Sequence, residues 1–362
     1  MHSPLPPARA PTLNLIETCA FALIGGAIVN FAGLPAGWLS GAMLFTAIAA
    51  LAGRPMSVPP PAMQVIFIAM GTTLGGVVTP ETLKGMAAWP ISIAALGVTA
   101  FCSTFAGYVY LKRVHGWDPI SALLASTPGS LTQALVHATE EKADIRGIAI
   151  VQTVRSSILS IGVPLTLTLI GAVDSSPTLV AAPTQFQAGA LEYAILIACS
   201  VISSLILQRL KFPGGVMFGA MMASAALHGS GFIHAQFPGW VVAAVMCGLG
   251  GIIGSRFANT SLRLLLSYLL AALGLFAVVF SVSMIFAVGV AAVLSLRLAD
   301  VVVSFTPGAL DVMMMLSLAL RLDPVFVGAH HLSRFVMVSL AMPGWIRAVK
   351  RMNVIPPRPP GP

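Results

Sequence analysis

Charge is scarce in this chain. Asp, Glu, Lys and Arg make up 8% of its 362 residues, where a soluble domain carries about a quarter. A chain so poor in charge has too little polar surface to clothe a water-soluble globule. Acid is scarcer still, with eleven Asp and Glu against nineteen Lys and Arg, a net charge of +8. The basic residues stand singly or in pairs in short connections, which excludes a direct nucleic-acid surface and fits the charge bias of membrane loops. The four cysteines, Cys19, Cys102, Cys199 and Cys247, all fall inside apolar runs. They read as small buried residues and exclude a disulfide framework. The seven histidines, His2, His115, His137, His228, His234, His330 and His331, do not gather with carboxylates as a copper or iron centre requires. Ser/His/Asp arrays, phosphate-binding loops and dinucleotide fingerprints are missing too. We therefore assign no catalytic residue and no metal ligand, expect no cofactor, and read the protein as a non-enzyme.

What is abundant is apolar, at 57% of the chain, in runs that approach the roughly 20 residues needed to cross a bilayer. The lipid bilayer is thus the first partner, and the expected location is the inner (plasma) membrane, crossed several times. The chain also repeats itself, the symmetry to look for first. At an offset of 179, Thr127, Pro128, Gly129 and Leu131 fall on Thr306, Pro307, Gly308 and Leu310. Asp144 falls on Asp323, Arg155 on Arg334 and Pro164 on Pro343. Upstream, LPAGWLSGAM at 34–43 matches FPGGVMFGAM at 212–221, at offset 178. These are residue types an apolar chain uses least. The divisions that follow are a mobile tail over 1–16, a first repeat over 17–170, a linker over 171–190, a second repeat over 191–347 and a cytoplasmic tail over 348–362.

The first repeat offers apolar spans at 18–31, 38–51, 62–78, 90–111, 119–139 and 147–170. The run at 18–31 resembles a signal-peptide core, but the second repeat has its counterpart at 194–207, so a retained helix is expected. The remaining spans of the second repeat are 216–228, 240–254, 264–288, 299–320 and 325–346. The fifth span of each repeat is interrupted by Thr-Pro-Gly, and its behaviour decides the topology. If it crosses, the Lys and Arg outside the spans divide nine inside to eight outside. If it enters and returns, they divide fourteen to three, with Lys84, Arg297 and Arg321 outside. The second split obeys the positive-inside bias. The expected fold is therefore an all-α membrane protein of two inverted repeats. Each has about five transmembrane helices and a re-entrant or broken TPG helix. Both termini are then cytoplasmic.

Thr127 and Thr306 read as N-caps, with Pro128 and Pro307 at the first helical position, where a missing N–H costs nothing. Pro also stops a helix arriving from its N-terminal side. Broken backbone at membrane depth is tolerated only in protein or along a watery cavity, so Thr127, Pro128, Gly129, Thr306, Pro307 and Gly308 are candidate solute-binding residues. Arg155 and Arg334 lie within the last spans, where an ionised side chain costs at least about 2.5 kcal/mol and points to function. The alternative is a carbonyl clamp or salt bridge that holds the bundle. Asp144 and Asp323 are too far along the helix, about 16 Å at 1.5 Å per residue, to neutralise them, and read as helix caps. Gln152 and His331 share a face with the arginines at i,i+3. His331 is thereby a titratable group beside a fixed positive charge, and a pH-dependent function is expected. Asp311 stands where the first repeat has Thr132, in position to pair with an Arg or bind a cation or proton.

The duplicated P-G-x-L … D … R … P pattern, the P-x-G-x-x-x-G-A-M turn and the length resemble the AbrB family of membrane proteins, over about residues 15–347. Members carry the labels ammonia monooxygenase and regulator of aidB expression. The family commonly shows Pro-Gly-Gly where this chain has Ser130 and Ala309 in the last place. The small DNA-binding regulator that shares the family's name is a different, soluble fold. Three readings stay open: a transporter of a small, perhaps anionic, solute; a membrane sensor that alters gene expression through a partner; and the oxygenase. A homo-oligomer is compatible with all three.

Overall fold

The structure is a computed structural model that describes residues 11–77, 89–129, 131–173, 189–258 and 260–352. Lys84, Ser130, most of the linker and the outermost residues of both tails lie outside the described residues. Fourteen helices and no strand occur among those described. In chain order they are α1 (Pro11–Phe31), α2 (Gly37–Leu51), α3 (Pro60–Gly75), α4 (Trp89–Val114), α5 (Pro119–Ser126), α6 (Leu131–Glu140) and α7 (Ile145–Leu169). Then come α8 (Ala190–Arg209), α9 (Gly215–Gly229), α10 (Gly239–Ser255), α11 (Leu262–Leu294), α12 (Leu298–Phe305), α13 (Leu310–Ala319) and α14 (Pro324–Met352). Seven helices are thus followed by their seven counterparts. The left-handed turn residues repeat as well. Ala36 (φ 52°) matches Gly214 (φ 64°), Lys142 (φ 55°) matches Arg321 (φ 54°), and Gly116 (φ 67°) matches Ser295 (φ 52°).

Helices α1, α4, α7, α8, α11 and α14 are long and apolar enough to cross a membrane. Helices α2, α9, α10 and α13 are apolar but shorter, at 10–17 residues. Two boundaries differ from the sequence reading. Helix α1 begins at Pro11, inside the expected tail, because TLNLI continues the apolar run. Helix α14 runs on to Met352, where Lys350 pairs with Glu141 at 2.5 Å.

The chain divides into two compact units that cut across the repeats. One holds residues up to 86, 160–262 and 311–325; the other holds 87–159, 263–310 and 326 onward. Within the first unit α2 packs on α1 and on α10, while α9 packs on α8 and on α3. Each repeat therefore lends its third helix to the other. The partners come so close that no side chain fits between them. A Cβ on Gly250 would stand 2.6 Å from the Leu39 carbonyl oxygen, and one on Gly254 equally near that of Met43. The counterparts Gly71 and Gly75 meet the carbonyls of Met217 and Met221 in the same way. Lipid supplies no hydrophobic drive between helices, so close backbone approach supplies the dispersion contact instead.

In the second unit, residues 121–128 and 301–308 are buried without interruption. PISALLAS is small or apolar on every side, and such a helix can only be a core helix. Gly107 of α4 lets α5 approach, since a Cβ there would stand 2.9 Å from that of Ser126. The repeats interlock here too. Tyr268 of α11 donates to Asp144 Oδ2 at 2.8 Å, and Ser339 of α14 donates to Gln133 of α6 at 2.9 Å.

The Thr-Pro-Gly segments do break their helices, but the caps are not where the sequence reading put them. Thr127 and Thr306 close the arriving helices α5 and α12 and do not open α6 and α13. Each Thr donates its hydroxyl to the carbonyl four residues back, of Leu123 and Val302, at 2.7 Å. Pro128 and Pro307 are not at the first helical position, since α6 and α13 start three residues later. A threonine followed by proline is held in extended backbone, so it can end a helix but not continue it. Asp144 and Asp323 do cap the last helices, accepting from the Gly147 and Val325 amides at 3.0 and 2.9 Å.

Candidate functional site

A helix of eight residues leaves its last four carbonyls without helical donors. At the end of α5 all of them are met. Leu123 takes the amide and hydroxyl of Thr127. Gln152 donates to the Leu124 carbonyl at 2.8 Å. Arg155 reaches the carbonyls of Ala125 and Ser126 at 3.5 Å each and that of Thr127 at 3.3 Å. A cation at a helix C-terminus also opposes the negative end of its dipole. The two donors sit three residues apart on α7, on one face.

The second repeat builds the same closure on α12 from α14. His331 Nε2–H donates to the Val303 carbonyl at 3.0 Å, and Val303 is the counterpart of Leu124. Arg334 donates to the carbonyls of Thr306 at 2.8 Å and Gly308 at 3.1 Å. Its Nη2 also donates to His331 Nδ1 at 2.7 Å. With Nε2 donating and Nδ1 accepting, His331 is the neutral Nε2–H tautomer and acts as a brace between Arg334 and α12.

Both arginines are buried, at 2% and 3% exposure. Among the described residues neither meets a carboxylate within ion-pair distance. The clamp reading of the sequence is thus realised, with backbone carbonyls as acceptors. Thr127, Pro128, Gly129, Gln152, Arg155, Thr306, Pro307, Gly308, His331 and Arg334 all belong to the second compact unit. Asp311 belongs to the first, half-buried in the opening turn of α13. It forms neither an ion pair nor a hydrogen bond among the described residues.

Sequence reading offered a carbonyl clamp but named none of its acceptors, because every residue carries a carbonyl. It also missed Ser92, whose hydroxyl lies 2.8 Å from His330 Nε2. His330 Nδ1–H donates to the Phe326 carbonyl at 2.8 Å, and Trp89, Phe305 and Phe326 surround the ring. His330 is thereby a satisfied core residue. Among the described residues no three of His, Cys, Asp and Glu converge as a metal site would need.

A duplicated all-helical protein with membrane-length helices, whose broken helices are closed by buried Gln/His–Arg pairs, is the class these features define. The chain belongs to the AbrB family: the family model described as "Transition state regulatory protein AbrB" matches residues 38–350. It is similar to "Putative regulator AbrB" of Escherichia coli (strain K12), 24% identical over 94% of this chain and 97% of that protein. It is also similar to "Uncharacterized protein YhjN" of Bacillus subtilis (strain 168), 25% identical over 94% of this chain and 95% of that protein.

Proposed function

We propose that the protein is a non-enzymatic transporter of the inner membrane that binds and moves a small anionic solute. In this reading two inverted repeats of five spans each contribute one broken helix to the site. The supporting observation is the pair of buried arginines in one compact unit, with no carboxylate partner among the described residues. Two like charges removed from water are strongly unfavourable unless an opposite charge joins them, and an anion supplies it. Irregular backbone between short helices is the usual lining of such a site.

The test is uptake by purified protein in proteoliposomes, using labelled small carboxylates, phosphate and sulfate. Saturable uptake of at least one anion is expected, with none in protein-free vesicles. A second reading is a membrane sensor that signals through a cytoplasmic partner, favoured by the word "regulator" in the E. coli relative's name. Anion binding without flux would select the sensor. Neither binding nor flux would overturn both.

A further inference from the structure

The two clamps are alike in place and unlike in quality. Arg334 makes three hydrogen bonds of 2.7–3.1 Å, within the normal range for N–H donors. Arg155 makes three contacts of 3.3–3.5 Å, at or beyond the limit of useful geometry. Its Nε–H is buried with no partner among the described residues. A buried unsatisfied donor on a charged group is rare in a folded protein and calls for a ligand or a strain to explain it.

Among the residues that differ between the two clamps, the one on the arginine's own helix face is the neighbour three positions before it. Three positions before Arg334 stands His331, whose Nδ1 accepts from the guanidinium. Three positions before Arg155 stands Gln152, whose amide donates to the Leu124 carbonyl. Arg334 is therefore held from the side by an acceptor on its own helix, whereas Arg155 is pressed only loosely against the end of α5.

We propose that the anion site is one-sided: Arg155 binds a small carboxylate, and Arg334 is a positioning residue that holds its helix break. The edge of a guanidinium that includes Nε presents two parallel N–H donors, which match the two oxygens of one carboxylate. A bound carboxylate satisfies Nε and neutralises Arg155, while the long carbonyl contacts leave the group free to tilt toward it. This rests on the anion-binding reading above, since Arg155 is 2% exposed and a ligand reaches it only when the site opens.

The experiment is thermal unfolding of the full-length protein in detergent, with acetate or propionate replacing chloride at constant ionic strength. Both are expected to raise the Tm of the wild type by a few degrees, by mass action on the folded state. Arg155→Lys keeps the charge, loses the fork and is expected to abolish the shift. Gln152→His transplants the brace. It is expected to raise the basal Tm and to weaken acetate about tenfold, a pair of opposite effects that a purely structural role would not give. Tyr268→Phe, away from the site, is expected to lower the basal Tm and keep the acetate shift.

No acetate or propionate shift in the wild type, or an undiminished one in Arg155→Lys, would overturn the proposal. So would a shift with inorganic phosphate alone, or one lost in Arg334→Lys and kept in Arg155→Lys. If Arg155→Lys does not fold, the two signs of the Gln152→His effect decide the matter. An acetate shift that depends on Arg155, without carboxylate flux in proteoliposomes, sinks transport and leaves the site. Flux that survives Arg155→Lys sinks the site and leaves transport.

Discussion

At the residue scale, partly buried polar groups tie the helices together. Asp144 shows how one carboxylate can serve two elements. Its Oδ1 accepts from the Gly147 amide and its Oδ2 from the Tyr268 hydroxyl, while its own amide donates to Ser121 Oγ. The carboxylate thus starts α7, ties it to α11 and stands beside the start of α5. Tyr268→Phe should cost about 1 kcal/mol, the net worth of one hydrogen bond at a partly exposed site. Asp144→Ala should cost about 2 kcal/mol, as the loss of a cap plus that bond. The double variant should fall short of the sum by roughly 0.5–1 kcal/mol, because both remove the same contact. Unfolding of the three variants against the wild type measures this, and strict additivity would show that the hydroxyl and carboxylate are not coupled.

Helices in this protein pair where side chains are absent. The third helix of each repeat lies backbone to backbone on the second helix of the other, through Gly71 and Gly75 against α9 and through Gly250 and Gly254 against α2. A methyl group at Gly71 or Gly250 would overlap a carbonyl oxygen of the partner helix, and neither backbone can retreat alone. Gly71→Ala and Gly250→Ala should each cost about 2–3 kcal/mol or more and reduce the yield of monodisperse protein. Gly162, inside α7, has open space where its Cβ would stand. Gly162→Ala should be neutral or stabilising by up to about 1 kcal/mol, since alanine loses less freedom in a helix. Size-exclusion profiles and Tm values of the three variants separate the outcomes. Equal behaviour would mean that close approach does not hold the first unit together.

At the scale of the whole molecule, the charge distribution predicts the direction of the repeats. The proposed inverted arrangement would put residues 112–115 and 209–211 together on the cytoplasmic face, and would divide the loop Lys and Arg fourteen inside to three outside. Single cysteines introduced at Arg113 and Arg209 in a background freed of Cys19, Cys102, Cys199 and Cys247 report this directly. Both should react with an impermeant thiol reagent only from the cytoplasmic side, and a cysteine in the 171–189 connection only from the other. Labelling of Arg113→Cys and Arg209→Cys from opposite sides would replace the inverted repeats with another topology.

Much of this was legible from the residues alone. Duplication, the position of every long helix and the two breaks follow from run length, proline, glycine and scarce charge, which act on the chain within a few residues. The two aspartate caps were legible for the same reason. The threonines were misassigned because a Thr before Pro can close one helix as readily as it can open the next, and local sequence does not say which. Tertiary structure alone decided that α2 lies on α10 and α3 on α9, and that the compact units draw on both repeats. It also decided that Arg155 and Arg334 serve carbonyl oxygens. A carbonyl belongs to every residue, so no letter in the sequence marks the one that accepts. A braced Arg334 and a loosely held Arg155 go with one difference on the arginines' own helix face, His331 against Gln152. Its meaning appears only when packing brings the imidazole's free nitrogen to the guanidinium.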